Sequence, residues 1–367
     1  IDAIVFDNEL TKYAAFDFPV RVRCTPTIIP SGQARSLCLR TEWVLLTSGT
    51  VGVPKMVAHN VSTLTTPIGA ASPADGASVW GTFYDIRRYG GMQIFFRAVL
   101  GRASLVLMSA GEPVADHLAR LGRHGVTHLS GTPSHWRRAL MNPAIEEISP
   151  RYIRLSGEIA DQAVLDALRA KFPCAVIGHA YASTEAGVAF DVNDGLAGFP
   201  VAFVGGIRDG VDIKVVDGSL CIRSPRTASL YIGSEEVLAR DDGFIDTGDI
   251  VEQRGERFYF VGRKGGIINV GGLKVHPEEI ESLINRHPQV QASLVREKRS
   301  PLTGAIPVAD VMLKSEREYS DDERTQIRNE ILTCCRNSLA PHKVPAAISF
   351  VPALPVASTG KLERHRL

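Results

Sequence analysis

The sequence predicts an α/β fold: a large N-terminal α/β domain with an added small β part, then a small C-terminal α/β domain. Three observations predict it. Between residues 61 and 180, short apolar runs alternate with segments of helical spacing, the pattern of a largely parallel sheet with crossover helices. From 200 to 262 the helical spacing stops, and short strand-like runs alternate with Gly, Asp and Ser clusters. That reads as antiparallel or barrel-like structure. After 263 strand and helix patterns return as a compact α/β module. The expected boundaries are 1–262 for the large domain, 263–266 for a hinge, and 267–367 for the small, mobile domain. A chain of 367 residues is long enough for two such domains, each with its own core.

In order, residues 1–41 are short apolar segments broken by Pro19, Pro26 and Pro30. The apolar run 43–46 reads as a buried strand. Strands are expected at 78–83, 104–108, 127–130, 151–155 and 174–180. Helices are expected at 89–100, at 113–123 with proline at its start, and at 161–171 with Asp161 as N-cap. In the β part, strands are expected at 211–216, 220–223 and 258–261. The last module reads as strand 267–270, helix 277–286, strands 291–296 and 307–313, helix 320–338 and strand 347–351. Ligands of parallel sheets bind at the carboxyl ends of strands. The segments 47–55 and 181–185 both follow strands, so they are expected to meet.

Composition excludes several classes. Hydrophobic residues are 44% and charged residues 22%, ordinary for a soluble globular protein, and the formal charge of +1 gives no polyanion-binding footprint. No nucleic-acid partner is expected. The longest apolar stretch, 90–108, is interrupted by Arg97 and Arg102 and does not read as a membrane span. The start, IDAIVFDNEL, lacks the pattern of a signal peptide, so a cytoplasmic location is expected. The cysteines at 24, 38, 174, 221, 334 and 335 show no metal-ligand spacing. They are expected to be free thiols of a reducing compartment.

The segment Thr47-Ser48-Gly49-Thr50-Val51-Gly52-Val53-Pro54-Lys55 carries the first chemistry. Gly49 and Gly52 allow positive φ, so successive N–H groups can converge on an anion. Thr47, Ser48 and Thr50 add hydroxyls, and Lys55 adds a charge. This is a phosphate cradle in outline, but neither a Walker A loop nor a dinucleotide fingerprint. Alone, it fits an ordinary glycine-rich turn as well.

Four further stretches follow it: YASTE at 181–185, GFIDTGD at 243–249, GRKGGIINVGGLKVHPEEIE at 262–281 and PVASTGKLER at 355–364. With SGTVGVPK, these resemble the signature motifs of the adenylate-forming superfamily. That superfamily holds acyl- and aryl-CoA synthetases, the adenylation domains of nonribosomal peptide synthetases, and firefly luciferase.

The resemblance implies ATP-dependent activation of a carboxylic acid through an acyl-adenylate, with transfer to CoA. An alternative is a stand-alone adenylation enzyme that loads an amino or aryl acid onto a carrier-protein phosphopantetheine. A rival of another class is a non-catalytic nucleotide-binding scaffold. Implied cofactors are ATP, Mg²⁺ and CoA or the phosphopantetheine.

By resemblance, Thr47, Ser48, Gly49, Thr50, Gly52 and Lys55 hold the β- and γ-phosphates. Tyr181 packs on adenine, Thr184 lies near phosphate, and Glu185 binds Mg²⁺, as suits a hard cation. Gly157 and Glu158 join the nucleotide contacts. Asp249 accepts from the ribose hydroxyls, and Arg263 contacts the nucleotide. Lys361 bridges carboxylate and phosphate oxygens during adenylation. Gly265 is the hinge, where the family has Asp or Lys. Gly271, Gly272 and Lys274 line the pantetheine path. Val51 stands for a usual Thr, and Ala182 for a usual Gly.

The acid pocket is expected around Tyr84, Asp85, Tyr89 and His179. Asp85 marks either a substrate amine or the start of the 89–100 helix, and His179 is either a pocket or a core residue. The region before the phosphate loop is shorter than in the family. It is expected to leave an apolar face that a homodimer covers.

Overall fold

The computed structural model describes residues 3–6, 20–23, 41–47, 55–68, 78–109, 111–301, 303–314, 318–356 and 362. The chain forms two units. In residues 1–40, β1 (Ala3–Phe6) and β2 (Val20–Arg23) pair in parallel. Everything below concerns residues 41–367.

That unit opens with an antiparallel hairpin of β3 (Glu42–Leu46) and β4 (Met56–Asn60), with Leu46 opposite Met56. The strand before the glycine-rich loop is therefore part of a small hairpin sheet and is not the buried strand expected: Val44 and Leu46 are exposed, and only Leu45 is buried. Asn60 then caps α1 (Val61–Thr65). Its side chain accepts the Thr63 N–H at 2.9 Å, and Thr63 Oγ1 accepts the Asn60 N–H at 3.2 Å, a reciprocal capping box.

The parallel sheet follows: β5 (Val79–Thr82), α2 (Tyr89–Leu100), β6 (Ser104–Val106), α3 (Val114–Arg123), β7 (His128–Gly131), α4 (Pro133–Leu140), β8 (Tyr152–Ser156), α5 (Gln162–Lys171), β9 (Val176–Ser183) and β10 (Gly187–Val192). Its strand order is β10-β9-β8-β7-β5-β6, parallel except for β10, which returns antiparallel along β9. Leu118, Leu121, Leu129, Trp136, Ile153, Leu165 and Leu168 form its core. Helix α4 is short, only about two turns, but has a strong start: Thr132 and His135 make a capping box, and Pro133 sits in the first turn. Asp161 caps α5 as expected, accepting the Val164 N–H at 3.0 Å.

The β part comprises β11 (Phe199–Pro200), β12 (Ile207–Arg208), β13 (Val211–Val216), β14 (Ser219–Arg223), β15 (Leu230–Ile232), β16 (Ile245–Arg254) and β17 (Arg257–Arg263). Six of them form an antiparallel sheet in the order β11-β17-β16-β14-β13-β12. The seventh, β15, crosses to β4 and completes a three-stranded sheet. Asp217 and Gly218, both at positive φ, make the tight turn between β13 and β14. The 246–249 motif lies inside β16 rather than in a loop.

A short 3₁₀ turn, Lys264–Gly266, leads into β18 (Ile268–Val270), β19 (Leu273–Val275), α6 (Pro277–Ile284), β20 (Val290–Ser300), β21 (Gly304–Leu313), α7 (Asp321–Ser338) and β22 (Ile348–Phe350). Val275, Ile280, Ile284, Val295, Val311 and Ile331 form the core of this module. Among the described residues, no helix is long and apolar enough to cross a membrane. Cys174, Cys221, Cys334 and Cys335 are free thiols, and the calls on Cys24 and Cys38 lie outside the described residues.

His135 is buried and stacked on Phe83 at 5.6 Å. Burial, then the nearby Arg138, pushes its imidazole from 6.5 down to about 3. Below pH about 6.5 the unfolded chain binds a proton here that the folded chain refuses, so this group's contribution to stability is lost as pH falls from about 6.5 towards about 3. Burial lowers His59, His117 and His179 in the same direction. The urea midpoint should fall between pH 7 and pH 5, with roughly 2 kcal/mol from His135 at the lower pH. The His135→Gln variant should show a shallower fall.

Candidate active site

A cavity of about 600 Å³ opens where the carboxyl ends of β8 and β9 meet the β3–β4 hairpin, the facing ends of β16 and β17, and α6. The segments 47–55 and 181–185 meet here as expected, through Thr47, Lys55 and residues 181–185.

Thr47 and Lys55 close the base of the hairpin. The Thr47 N–H donates to the Lys55 carbonyl at 2.9 Å, and the Lys55 N–H donates to Thr47 Oγ1 at 3.1 Å. The Lys55 ammonium pairs with Glu236 and lies 5.0 Å from the Tyr231 ring centre. Both partners of that pair are substantially exposed, so it holds the lysine weakly. Ser48, Gly49, Thr50 and Gly52 lie outside the described residues.

β9 delivers Tyr181 and then turns through Thr184 and Glu185. Tyr181 lies nearly parallel to Phe260 (5.1 Å, 6°) and to Phe190 (5.6 Å, 20°). Its hydroxyl donates to Asp249 Oδ2. Burial and the adjacent carboxylate hold that hydroxyl well above the usual phenol range, so it stays a donor. Asp249 Oδ1 pairs with Arg263 Nε at 3.0 Å, and Arg263 Nη2 donates to the Thr247 carbonyl at 2.9 Å. Asp249 is thus held between Tyr181 and Arg263. Glu185 receives the Tyr231 hydroxyl at 3.5 Å. Glu185 is a carboxylate that could hold Mg²⁺, which usually takes one or two protein carboxylates and fills its shell with phosphate and water.

On the acid side, the Tyr84 hydroxyl donates to the Ser156 carbonyl at 2.9 Å, tying together the two loops that flank the cavity. Asp85 is neither the N-cap of α2 nor a free carboxylate. Arg88 occupies the cap position, and Arg87 holds Asp85 with Nε at 2.9 Å, Nη2 at 2.8 Å and its own N–H at 2.9 Å. Those hydrogen bonds hold the Asp85 carboxyl below its usual range. Tyr89 is buried, and burial pushes its hydroxyl up to about 12. His179 borders the cavity, but its Nε2 faces the Leu196 carbonyl at 2.9 Å, so it is a hydrogen-bonded wall residue.

Gly157 lines the cavity at φ +86°. Glu158 accepts from the Ser134 N–H (2.9 Å) and hydroxyl (3.1 Å) at the start of α4, and from the Leu362 N–H at 3.2 Å. Lys361 lies outside the described residues; Leu362, next in the chain, lines the cavity. Gly265 also lines it, whereas Gly271, Gly272 and Lys274 are exposed around the β18–β19 turn, away from the cavity.

Sequence reasoning missed several wall groups. Arg137 pairs with Asp161 at 2.6 Å, and Asn285 of α6 donates to the same carboxylate at 3.3 Å. Phe260 and His59 also went unnoticed. No spacing signal joins residues so far apart in the chain.

The fold is that of a large part carrying the cavity and a C-terminal module with its own core. The chain belongs to the AMP-binding enzyme family: that family's sequence model matches residues 41–232, and the model of the AMP-binding enzyme C-terminal domain matches 279–361. It is 28% identical to 4-coumarate–CoA ligase 2 of Oryza sativa subsp. japonica over 294 residues, covering 74% of this chain and 50% of that protein. It is 29% identical to benzoate–CoA ligase of Thauera aromatica over 351 residues, covering 88% of this chain and 64% of that one. The chain thus spans half to about two thirds of the length of these two relatives. The crystal structure of the anthranilate CoA ligase AuaEII in complex with anthranoyl-AMP shares the fold, with a TM-score of 0.78 at 20% identity over 99% of this chain and 76% of that one.

Gly262 ends β17 at φ +151°, where a Cβ would come within 2.6 Å of Glu278 Oε2 and 2.9 Å of His276 Nδ1. Gly262→Ala should therefore push the strand end off α6 and cost about 1–3 kcal/mol. Gly265→Ala, with open space around it, should be near neutral. Denaturant unfolding of both variants checks the contrast.

Proposed function

We propose that this protein activates a small carboxylic acid with ATP and passes the acyl group to CoA, as an AMP-forming acid–thiol ligase. The observation that carries this reading is the convergence of Thr47, Lys55, Glu185, Tyr181, Asp249 and Arg263 on one cavity. The ligase names of its relatives support it, and they point to an aryl or arylalkenyl acid. Arg87 already neutralises Asp85, which favours an acid without an adjacent amine and argues against an amino-acid-loading enzyme.

In the proposed reaction an acid oxygen forms a bond to the α-phosphorus, and the bond to the bridging oxygen breaks, releasing pyrophosphate. Thr47, Lys55 and the glycines of the loop hold the β- and γ-phosphates. Tyr181 with Phe260 offers an aromatic platform for adenine, and Asp249 takes the ribose hydroxyls. Glu185, assisted by Thr184, would hold Mg²⁺, which when bound neutralises phosphate charge. Lys361 supplies the cation that bridges the two reacting oxygens. The thiol sulfur then bonds to the acyl carbon, AMP leaves, and the thiol proton goes to solvent. For that second step we propose that residues 267–367 turn about 263–266, bringing Gly271, Gly272 and Lys274 to the pantetheine path. The enzyme works in the cytoplasm.

We also propose a homodimer. Val44, Leu46, Met56 and Leu230 share one face of the β15-β4-β3 sheet and are 41–52% exposed. Such an apolar face is unusual on a monomer.

Pyrophosphate exchange with 4-coumarate, benzoate and 2-succinylbenzoate tests the reaction; exchange with none of them, or with any wider acid panel, overturns it. Lys361→Ala should lower exchange roughly 10²–10³-fold and spare thioester formation from supplied acyl-adenylate. Gly265→Pro, shown by melting to be folded, should retain one half-reaction and lose the other; parallel changes reject the hinge. Sedimentation at micromolar concentration should show a dimer that Leu46→Glu dissociates.

A further inference from the structure

The β3–β4 hairpin and the Thr184–Glu185 turn come from distant parts of the chain, yet one side chain joins them. His59, on β4 and 1% exposed, places Nε2 at 2.7 Å from the Thr184 carbonyl oxygen and Nδ1 at 3.0 Å from Thr63 Oγ1. Its ring packs on Tyr89 at 5.4 Å. A carbonyl only accepts, so Nε2 carries the proton. From the other side the Ala228 N–H donates to the Glu185 carbonyl at 2.9 Å. The turn that aims Glu185 into the cavity is thus held on one side by the hairpin that presents Thr47 and Lys55.

We propose that His59 is a positioning residue that fixes the spacing between the hairpin's phosphate-binding groups and Glu185, and so sets the affinity for the metal-bound triphosphate. This rests on the roles proposed above for Thr47, Lys55 and Glu185. A ligand that spans both elements, MgATP, feels the spacing. AMP, which ends at the α-phosphate, does not.

The test is calorimetric binding of MgATP and of AMP to the full chain and to three variants. His59→Gln keeps a donor long enough to reach the Thr184 carbonyl, His59→Asn is one methylene too short, and His59→Leu has none. His59→Asn and His59→Leu should bind MgATP roughly tenfold more weakly, the order expected for one buried hydrogen bond. Their AMP affinity should stay within about twofold, while His59→Gln stays near the parent for both ligands. Unchanged MgATP affinity in His59→Asn, a parallel loss of both ligands, or failure of His59→Gln to rescue would overturn the assignment. A parent protein that binds both nucleotides but shows no pyrophosphate exchange with any acid would sink the proposed reaction and leave His59 in place. A parent that binds no MgATP would overturn both.

Discussion

Everything at this site depends on one tight turn, residues 184–186, where β9 ends and β10 begins. Buried backbone polar groups must be paired, and the turn meets that demand with partners from the hairpin sheet, from the segment before β15 and from the end of β9 itself. The Thr184 carbonyl accepts from His59 of the hairpin sheet, the Glu185 carbonyl accepts the Ala228 N–H from the segment before β15, and the Ala186 N–H donates to Ser183 Oγ. Gly187 follows at φ +77°, where a Cβ would come within 2.6 Å of the Arg226 carbonyl. The β9–β10 turn is therefore tied to the hairpin sheet and to the segment that leads into its third strand by one side-chain and one backbone hydrogen bond. A loop held this way can present a carboxylate to solvent without moving it.

Charge around the cavity is arranged for exchange rather than for storage. Lys55 is neutralised by Glu236 and Asp85 by Arg87, both in exposed pairs that hold weakly. Asp249 is shared between Tyr181 and Arg263. Asp246, three residues earlier, is held firmly. It accepts from Ser219 and Gly248 and pairs with Arg240 and Lys264, and these contacts, outweighing its burial, keep its carboxyl far below the usual range. The contacts of Asp246, Lys264 among them, anchor the segment that leads to the 264–266 turn.

Among the described residues, the C-terminal module meets the large part at the cavity's edge through polar contacts of Asn285 and Leu362. Asn285 reaches Asp161, and the Leu362 N–H reaches Glu158. Glu158 and Asp161 each also hold the helix α4, through Ser134 and Arg137. The same carboxylates that finish the wall of the pocket thus receive the module. Contacts of this kind are individually small.

Much of the fold was legible in the sequence, because period and punctuation are local. The alternation from 78 to 180, the cap at Asp161 and the turn-rich β part report each residue's own burial and backbone freedom. Helix α4 escaped because its evidence is a capping box rather than a long apolar period, and β4 because it follows a glycine-rich loop. Of the site, the sequence by itself determined the motifs and, through the resemblance they carry, the groups proposed for phosphate, metal and ribose. Only the tertiary structure decided what each one faces. Asp85 is spent on Arg87, His179 on the Leu196 carbonyl and Glu158 on Ser134 and Leu362, and His59 lies under a turn 125 residues away. Hydrogen bonds act over about 3 Å, and which atoms come that close is fixed by the packing of whole sheets, which no local pattern records.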